Sequence, residues 1–220
     1  MSRSIPALVL IFIALVLSFF VSISLPFILG IDIARINVEV PGLDGKGDVR
    51  LGIWSYCIYD LTGAHACAPK GLGYSFEKFN AFNVNESDVL SSAWTRGLIL
   101  HPIATGFIFV AFVTSLLTST LVNLVAFLAT LFAAFVTLIA FVIDIALYVH
   151  IHTVVKDAHV DAVANTDTAP GFWLSFVSVV LLIAASVAFF FGRRGERRSS
   201  QSTSYPLQSS KSWAEKFASM

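Results

Sequence analysis

Long stretches of the chain carry no charged side chain, and their lengths predict helices that cross a membrane. Lys, Arg, Asp and Glu are absent from residues 5–31, 97–143 and 168–192. A bilayer core of about 30 Å requires about 20 apolar residues in a helix. The first stretch therefore predicts a transmembrane helix over residues 5–31, and the last stretch predicts another over residues 172–191.

The middle stretch is too long for a single span. As one helix, residues 97–149 would be more than twice as long as the bilayer core, about 30 Å, is thick. The chain must therefore turn back within this stretch. We predict helices over residues 98–118 and 124–149, joined by a short cytosolic turn at 119–123. The polar residues that mark the turn are Thr118, Ser119, Thr120 and Asn123.

Composition agrees with this pattern and excludes a soluble enzyme. Hydrophobic residues make up 56% of the 220 positions, charged residues only 13%, and the mean hydropathy is +0.80. Fourteen basic residues balance fourteen acidic ones, so net charge gives no sign of nucleic-acid binding. A cleavable signal peptide is the alternative for residues 5–31. The apolar part of a signal peptide has about 7–15 residues, which favours a retained helix here.

The segment between the first two spans, residues 32–97, is predicted to contain a small antiparallel sheet. Polar and apolar residues alternate over residues 33–40, the pattern of a half-buried strand. Residues 41–48 are rich in turn formers, and residues 49–59 are rich in β-branched and aromatic side chains. We therefore expect two strands, with the second running over residues 49–59.

The only two cysteines of the chain, Cys57 and Cys67, both lie in this segment. On the outer side of a secretory-pathway membrane they meet an oxidising environment, which predicts a disulfide. Two free thiols are the alternative, and two thiols alone are too few ligands for a metal site. The predicted fold class is a mainly α membrane protein, a four-transmembrane-helix bundle with a small disulfide-clamped antiparallel β ectodomain in the first outer loop.

Basic residues set the predicted orientation. The connection at residues 150–171 contains one Lys, whereas four arginines follow the last span directly. Because basic residues favour the cytosolic side, both termini are predicted to be cytosolic and the connection to be outside. The tail, residues 192–220, is Ser-rich and predicted to be disordered. Its arginines are suited to attract anionic lipids. They are Arg193, Arg194, Arg197 and Arg198.

Three further residues fit the predicted outer side. Asn85 lies in the only N-x-[ST] sequence of the chain, Asn-Glu-Ser, and is a candidate glycosylation site. Trp94 and Trp173 fall at the outer ends of predicted spans, where indole rings favour the level of the lipid headgroups.

Parts of the sequence resemble known families. Gly52-Ile53-Trp54-Ser55-Tyr56-Cys57, followed by Cys67, resembles the loop signature of the claudin-like tetraspans. Residues 26–33, 54–57 and 96–104 resemble the fungal PalI family, which includes pH-response regulators and Sur-type proteins of the cell cortex. The resemblance covers most of residues 5–192. It implies that Gly52 and Trp54, together with the two cysteines, are structural motif residues that shape the sheet.

The resemblance also implies a function. It indicates a plasma-membrane accessory subunit that helps a multi-span ambient-pH sensor reach or remain in the membrane. A Sur-type organiser of the cell cortex is the alternative. A small transporter or channel is a third reading, which the scarcity of ionisable residues in the spans disfavours.

Few residues are suited to chemistry, and we assign no catalytic residue, cofactor or metal. Asp144 is the one acid near the middle of an apolar stretch; an interfacial cap or an inter-helix hydrogen bond is favoured over an ion path. All five histidines fall on the predicted outer side and are candidate pH-responsive residues, since histidine changes charge near neutrality. The alternative is simple exclusion of polar residues from the spans. The five are His65, His101, His150, His152 and His159.

Overall fold

The computed structural model describes residues 5–39, 46–60, 62–75, 91–117, 120–157 and 163–202. Its strands lie in two places along the chain, four of them after the first helix and one before the last helix. The helices are α1 (Ile5–Ser22), α2 (Ser92–Arg96), α3 (Leu100–Leu116), α4 (Thr120–Asp157) and α5 (Pro170–Ser202), with a 3-10 turn at Gly97–Ile99. The strands are β1 (Ala34–Glu39), β2 (Lys46–Leu51), β3 (Tyr56–Tyr59), β4 (His65–Cys67) and β5 (Val163–Thr168).

Four helical segments are long and apolar enough to cross a membrane. They are Ile5–Ser22, Ser92–Leu116, Leu124–Lys156 and Pro170–Gly192. Helix α1 packs against α3 and α5, and α4 packs against the same two helices, so α1 and α4 occupy opposite corners of a four-helix bundle. The predicted fold class is confirmed: four apolar helices carry an antiparallel sheet with a disulfide.

The helices end at different positions from the predicted spans. Helix α1 ends at Ser22 rather than at residue 31, because Pro26 lacks an N–H group and disfavours helical geometry at the residue before it. Helix α4 begins at Thr120, inside the predicted turn, and continues to Asp157. Helix α5 continues to Ser202, beyond the predicted end of the last span at residue 191.

The sheet has five antiparallel strands in the order β4-β3-β2-β1-β5. The predicted strand over residues 49–59 is wrong as a single element, because the chain leaves β2 after Leu51 and returns as β3 at Tyr56. Strand β5 lies between α4 and α5 and pairs with β1, which lies between α1 and α2. Segments from both connections therefore form one sheet. The sequence did not predict this fifth strand.

The two faces of the sheet differ in polarity. Side chains paired across the strands share a face, and Asp167, Arg35, Arg50 and the two cysteines form one such row. The opposite face carries Ile36 and Val49, which are almost completely buried. This apolar face lies on the ends of the helices, because its residues share a cluster with Val21 of α1 and with Leu147 and Ile151 of α4.

Two clusters form the apolar core. The sheet-end cluster contains Val21, Ile33, Ala34, Ile36, Val49, Leu51, Ile53, Tyr74, Leu98, Leu147 and Ile151. The distal cluster lies in the half of the bundle away from the sheet and contains Ala7, Ile11, Ala14, Ile108, Ala111, Ala133, Ala134, Leu182, Ala185 and Phe189. Alanine makes up six of these ten residues, and small side chains let membrane helices approach closely.

Candidate functional site at the junction of the sheet and the helices

The turn between β2 and β3 is joined to the end of α1 by two hydrogen bonds. The Trp54 indole Nε1–H donates to the Ser22 carbonyl at 2.7 Å. The last carbonyls of a helix have no hydrogen-bond donor within the helix, so the Trp54 indole supplies the donor for one of them. In return, the Ser24 hydroxyl accepts a hydrogen bond from the backbone N–H of Ile53 at 3.0 Å. The Trp of the loop motif therefore holds the sheet on the first helix.

Gly52 lies where the backbone of this turn touches the segment after α1. A Cβ atom added at Gly52 would come within 2.5 Å of the Leu25 Cβ and 3.0 Å of its backbone nitrogen. Gly52 also accepts, at its carbonyl, a 2.7 Å hydrogen bond from the Tyr74 hydroxyl. The Tyr74 carbonyl in turn accepts a 2.6 Å bond from the Thr95 hydroxyl, which connects the sheet to α2. Burial raises the pKa of the Tyr74 phenol above its usual value.

A second junction connects the start of β1 with the start of α5. The Gly171 N–H donates to the Asp32 carbonyl at 2.8 Å, and a Cβ atom at Gly171 would lie only 2.7 Å from that oxygen. The Asp32 carboxylate is fully buried and accepts from the Arg35 guanidinium at 3.0 and 3.2 Å. This hydrogen bond raises the pKa of Arg35. Glycine at position 171 is therefore required for the close approach.

The predicted disulfide is present. Cys57 and Cys67 are bonded to each other and are direct partners across β3 and β4. The Asp60 carboxylate closes the turn between these strands by accepting hydrogen bonds from the Thr62 hydroxyl, the Thr62 N–H and the Ala64 N–H. These bonds lower the pKa of Asp60, with the Thr62 hydroxyl contributing most.

The histidines lie in separate environments rather than in one cluster. His65 stacks on Tyr59 with ring centroids 5.3 Å apart, and its strand is exposed. The other two exposed or half-buried histidines, His150 and His152, stack on aromatic rings of Trp94 and Tyr148 at 4.3 and 5.9 Å. His159 lies outside the described residues, as does Asn85. Among the described residues no group of three metal-ligating side chains is present.

His101 is buried between two helices. It lies in the first turn of α3, is 3% exposed, and its Nε2 is 2.9 Å from the Oδ1 of Asp144 on α4. The inter-helix hydrogen bond that the sequence favoured for Asp144 is therefore present, with a partner that the sequence did not identify. The pair lies within two candidate spans, Ser92–Leu116 and Leu124–Lys156.

Hydroxyl groups extend this polar contact to α1. The Thr105 hydroxyl donates to the His101 carbonyl at 2.9 Å and lies 2.6 and 2.7 Å from the hydroxyls of Ser18 and Ser22. These three hydroxyls were not among the residues that the sequence predicted for a site. The four-residue spacing of Ser18 and Ser22, which puts them on one face of a helix, was the available signal.

The remaining predicted residues lie near the ends of the spans. Trp94 is 40% exposed and Trp173 is 55% exposed. The four arginines after Gly192 lie in the last part of α5, beyond the apolar span. Their backbone is helical, and the structure thus continues the fourth apolar helix directly into the basic segment.

Comparison with known proteins identifies the family of the chain. A family model described as SUR7/PalI family matches residues 3–191. A search of curated proteins found no match. Because the matched range spans all four apolar helices, the five strands and both junctions, the chain belongs to the SUR7/PalI family of multi-pass membrane proteins.

Proposed function

We propose that the chain is a non-enzymatic plasma-membrane subunit that helps a multi-span ambient-pH sensor of a fungal cell reach or remain at the surface. The observation that carries this proposal is the family match over residues 3–191. The described residues support a scaffold rather than an enzyme, because their polar groups join elements of the fold to one another. The proposed partners are the bilayer, the sensor and, at the arginines after Gly192, anionic lipids.

The proposed topology places the sheet outside and both termini in the cytosol. Four candidate spans, an even number, bring the two ends of the chain to the same side of the membrane. The arginines after Gly192 favour the cytosol, and the Cys57–Cys67 disulfide suits the oxidising outer side. Glycosidase treatment provides a test at Asn85: a faster-migrating band is expected. A band that shifts only when the acceptor sequence is moved to the tail would contradict the orientation.

The polar face of the sheet is the proposed recognition surface. It is turned away from the helix ends and carries charges of both signs, with Arg35 beside Asp167 and Arg50 within 3.3 Å of Asp48. The Arg50 guanidinium also lies 4.1 Å over the Tyr59 ring. Recognition by such a face requires that the sheet keep its position on the bundle, which is the role of the two junctions.

The test compares substitutions at two glycines: Gly52, in the turn between β2 and β3, and Gly30, in the segment between α1 and β1. In cells that lack the chain, the surface level of a tagged sensor is measured after complementation with wild type, Gly52→Ala or Gly30→Ala. The Gly52 variant must displace Leu25, whereas a Cβ atom at Gly30 meets nothing within 4 Å. We expect the surface level of the sensor to fall with Gly52→Ala and to stay at the wild-type level with Gly30→Ala. An unchanged surface level in cells without the chain would exclude the accessory role.

A Sur-type organiser of the cell cortex is the second candidate. The observation that favours it is the family description, which joins SUR7 with PalI. The same cells separate the two candidates when cortical membrane domains are imaged together with the sensor. Altered domains with a normal sensor level would support the organiser, and a lost sensor with normal domains would support the accessory subunit.

A further inference from the structure

A groove runs along the outside of the bundle between α4 and α5, in the half away from the sheet. Its volume is about 640 Å³, and sites that hold a small molecule measure about 300–1,000 Å³. The lining comes from residues between Leu128 and Leu138 on α4 and from Ile183 on α5, and all of it is apolar. The groove therefore has the size and the surface of a site for an apolar ligand.

Aromatic pairs join α4 to α5 on either side of this groove. The centroid of the Phe127 ring lies 6.5 Å from that of Phe190, and the centroid of the Phe141 ring lies 5.5 Å from that of Phe176. In each helix the two phenylalanines are 14 positions apart, which corresponds to about 21 Å along the helix axis. The groove lies between the two pairs.

Smaller residues lie midway between the aromatic pairs. Ala134 is seven positions from each phenylalanine of α4, and Ile183 is seven positions from each phenylalanine of α5. A spacing of seven residues is close to two helical turns, so both residues lie on the sides where the helices meet. Ala134 and Ile183 both line the groove, because together they fill less space than a pair of aromatic rings.

The groove has the length of one leaflet of the bilayer. Leu128 and Leu138 are ten positions apart, or about 15 Å of helix, which is half of a bilayer core of about 30 Å. Both helices lie within candidate spans at this level, so the exposed lining faces lipid hydrocarbon. In the proposed topology this leaflet, on the side away from the sheet, is the cytosolic one.

A basic segment follows directly beyond the groove. Arg193 and Arg194 come three and four positions after Phe190, one turn further along α5. Residues 193–198 contain four arginines and one glutamate. Anionic lipids are found in the cytosolic leaflet, and basic residues near its surface attract them. An apolar groove that leads to a basic segment matches the acyl chain and the headgroup of one anionic phospholipid.

We propose that the groove binds one acyl chain of an anionic phospholipid, whose headgroup lies at the basic segment that begins at Arg193. The chain completes the contact between α4 and α5 at the level where Ala134 leaves it open. This lipid site deepens the proposed attraction of the arginines for anionic lipids, and its choice of leaflet and headgroup rests on the proposed function. The apolar chain site itself does not, and no sensor is needed to form it.

Photocrosslinking tests the chain site. The purified full chain is placed in phosphatidylcholine nanodiscs that contain a small fraction of phosphatidylserine with a photoreactive group in one acyl chain. Crosslinks are expected to concentrate on residues 128–138 and on Ile183. Ile183→Phe adds an aromatic ring where the contact lacks one, and loss of these crosslinks is expected. Ile13→Phe is the matched control: Ile13 is 41% exposed, Ile183 is 49% exposed, and Ile13 lies in the same half of the bundle but does not line the groove.

Two results in wild type would overturn the lipid site. One is a set of crosslinks spread evenly over the exposed residues of all four spans. The other is a nanodisc with two copies of the chain whose grooves face each other and remain unlabelled, which would make a second copy the occupant. Because both results come from wild type, the test holds even if Ile183→Phe does not fold.

A second comparison tests the headgroup. Phosphatidylcholine with the same photoreactive chain replaces the anionic probe, and weaker labelling of the groove is expected. Replacing Arg193 and Arg194 by Gln should lower the ratio of anionic to phosphatidylcholine labelling about fivefold for each arginine. Lys156→Gln, at the sheet end of α4, is the control and should leave this ratio unchanged. Equal labelling by the two probes in wild type would overturn the anionic site. Neither measurement includes the sensor, so a negative result here leaves the accessory role to its own test.

Discussion

The two halves of the bundle satisfy their buried polar groups in different ways. At the sheet end, side chains bond across elements: Trp54 to the end of α1, Tyr74 to the turn after β2, and Thr95 to the carbonyl of Tyr74. In the distal half, Thr137 and Ser186 bond to carbonyls four residues earlier in their own helices. The sheet end thus depends on particular residues, whereas the distal half depends on small side chains and local bonds.

The largest effect is expected from removing the disulfide. Replacing both Cys57 and Cys67 by Ala is expected to lower the free energy of unfolding by about 2–3 kcal/mol, because the bond closes a loop with a sequence separation of 10. Thermal unfolding of the purified variant measures this loss. The control is wild type under reducing conditions, which should match the variant. An unchanged midpoint would show that the sheet is held by its junctions alone.

A second effect, of about 1–3 kcal/mol, is expected from Gly171→Ala, because the new Cβ atom would lie 2.7 Å from a backbone oxygen that cannot move freely. Gly192→Ala is a matched control in the same helix, where a Cβ atom meets nothing within 4 Å. Protease resistance of β5 and the unfolding midpoint both report the change. Equal behaviour of the two variants would contradict the close contact at Asp32.

Tyr74→Phe tests the sheet end through pH. At pH 7 the variant is expected to lose about 1 kcal/mol, because the Gly52 carbonyl loses its hydrogen bond. Burial raises the pKa of Tyr74, so the phenol stabilises the folded state fully below about pH 10, the unfolded value, and this stability is lost as pH rises further. The difference between wild type and variant should therefore narrow above about pH 10. A constant difference from pH 8 to 11 would contradict the burial of the phenol.

The smallest effect is expected on the outer surface of the distal half. Phe109 is 56% exposed on α3, so Phe109→Leu should change the unfolding free energy by less than about 0.5 kcal/mol. The unfolding midpoint in nanodiscs and the surface level in cells are measured together. A normal midpoint with a lost surface level would show that a partner covers this face, which would sharpen the contrast between the two halves.

The sequence was sufficient where the physical cause is local. Charge-free stretches gave the number of spans, and the presence of only Cys57 and Cys67 gave the disulfide. The break between β2 and β3 could not be predicted, because Gly52 must fit against Leu25, which lies 27 positions earlier in the chain. The extension of α5 had a local signal, since Arg and Glu are good helix formers.

The contacts between distant elements could not be inferred from one sequence. His101 and Asp144 are 43 positions apart, and the apolar pattern of two long helices does not show which faces meet. The pairing of β5 with β1 joins residues about 130 positions apart, and the run Val-Ala-Asn-Thr-Asp-Thr is too short to indicate a partner.

The pairing of β5 with β1 also bears on biosynthesis. Strands β1 to β4 can pair as soon as the first connection has emerged, but the second edge of β1 stays open until β5 is made. At 5–20 residues per second, about 130 residues correspond to a delay on the order of ten seconds. During this interval the open edge is a template for other strands. Because α3 and α4 precede β5 in the chain, the edge closes only after these two helices have been inserted in the membrane. A complete sheet therefore indicates that α3 and α4 were inserted correctly.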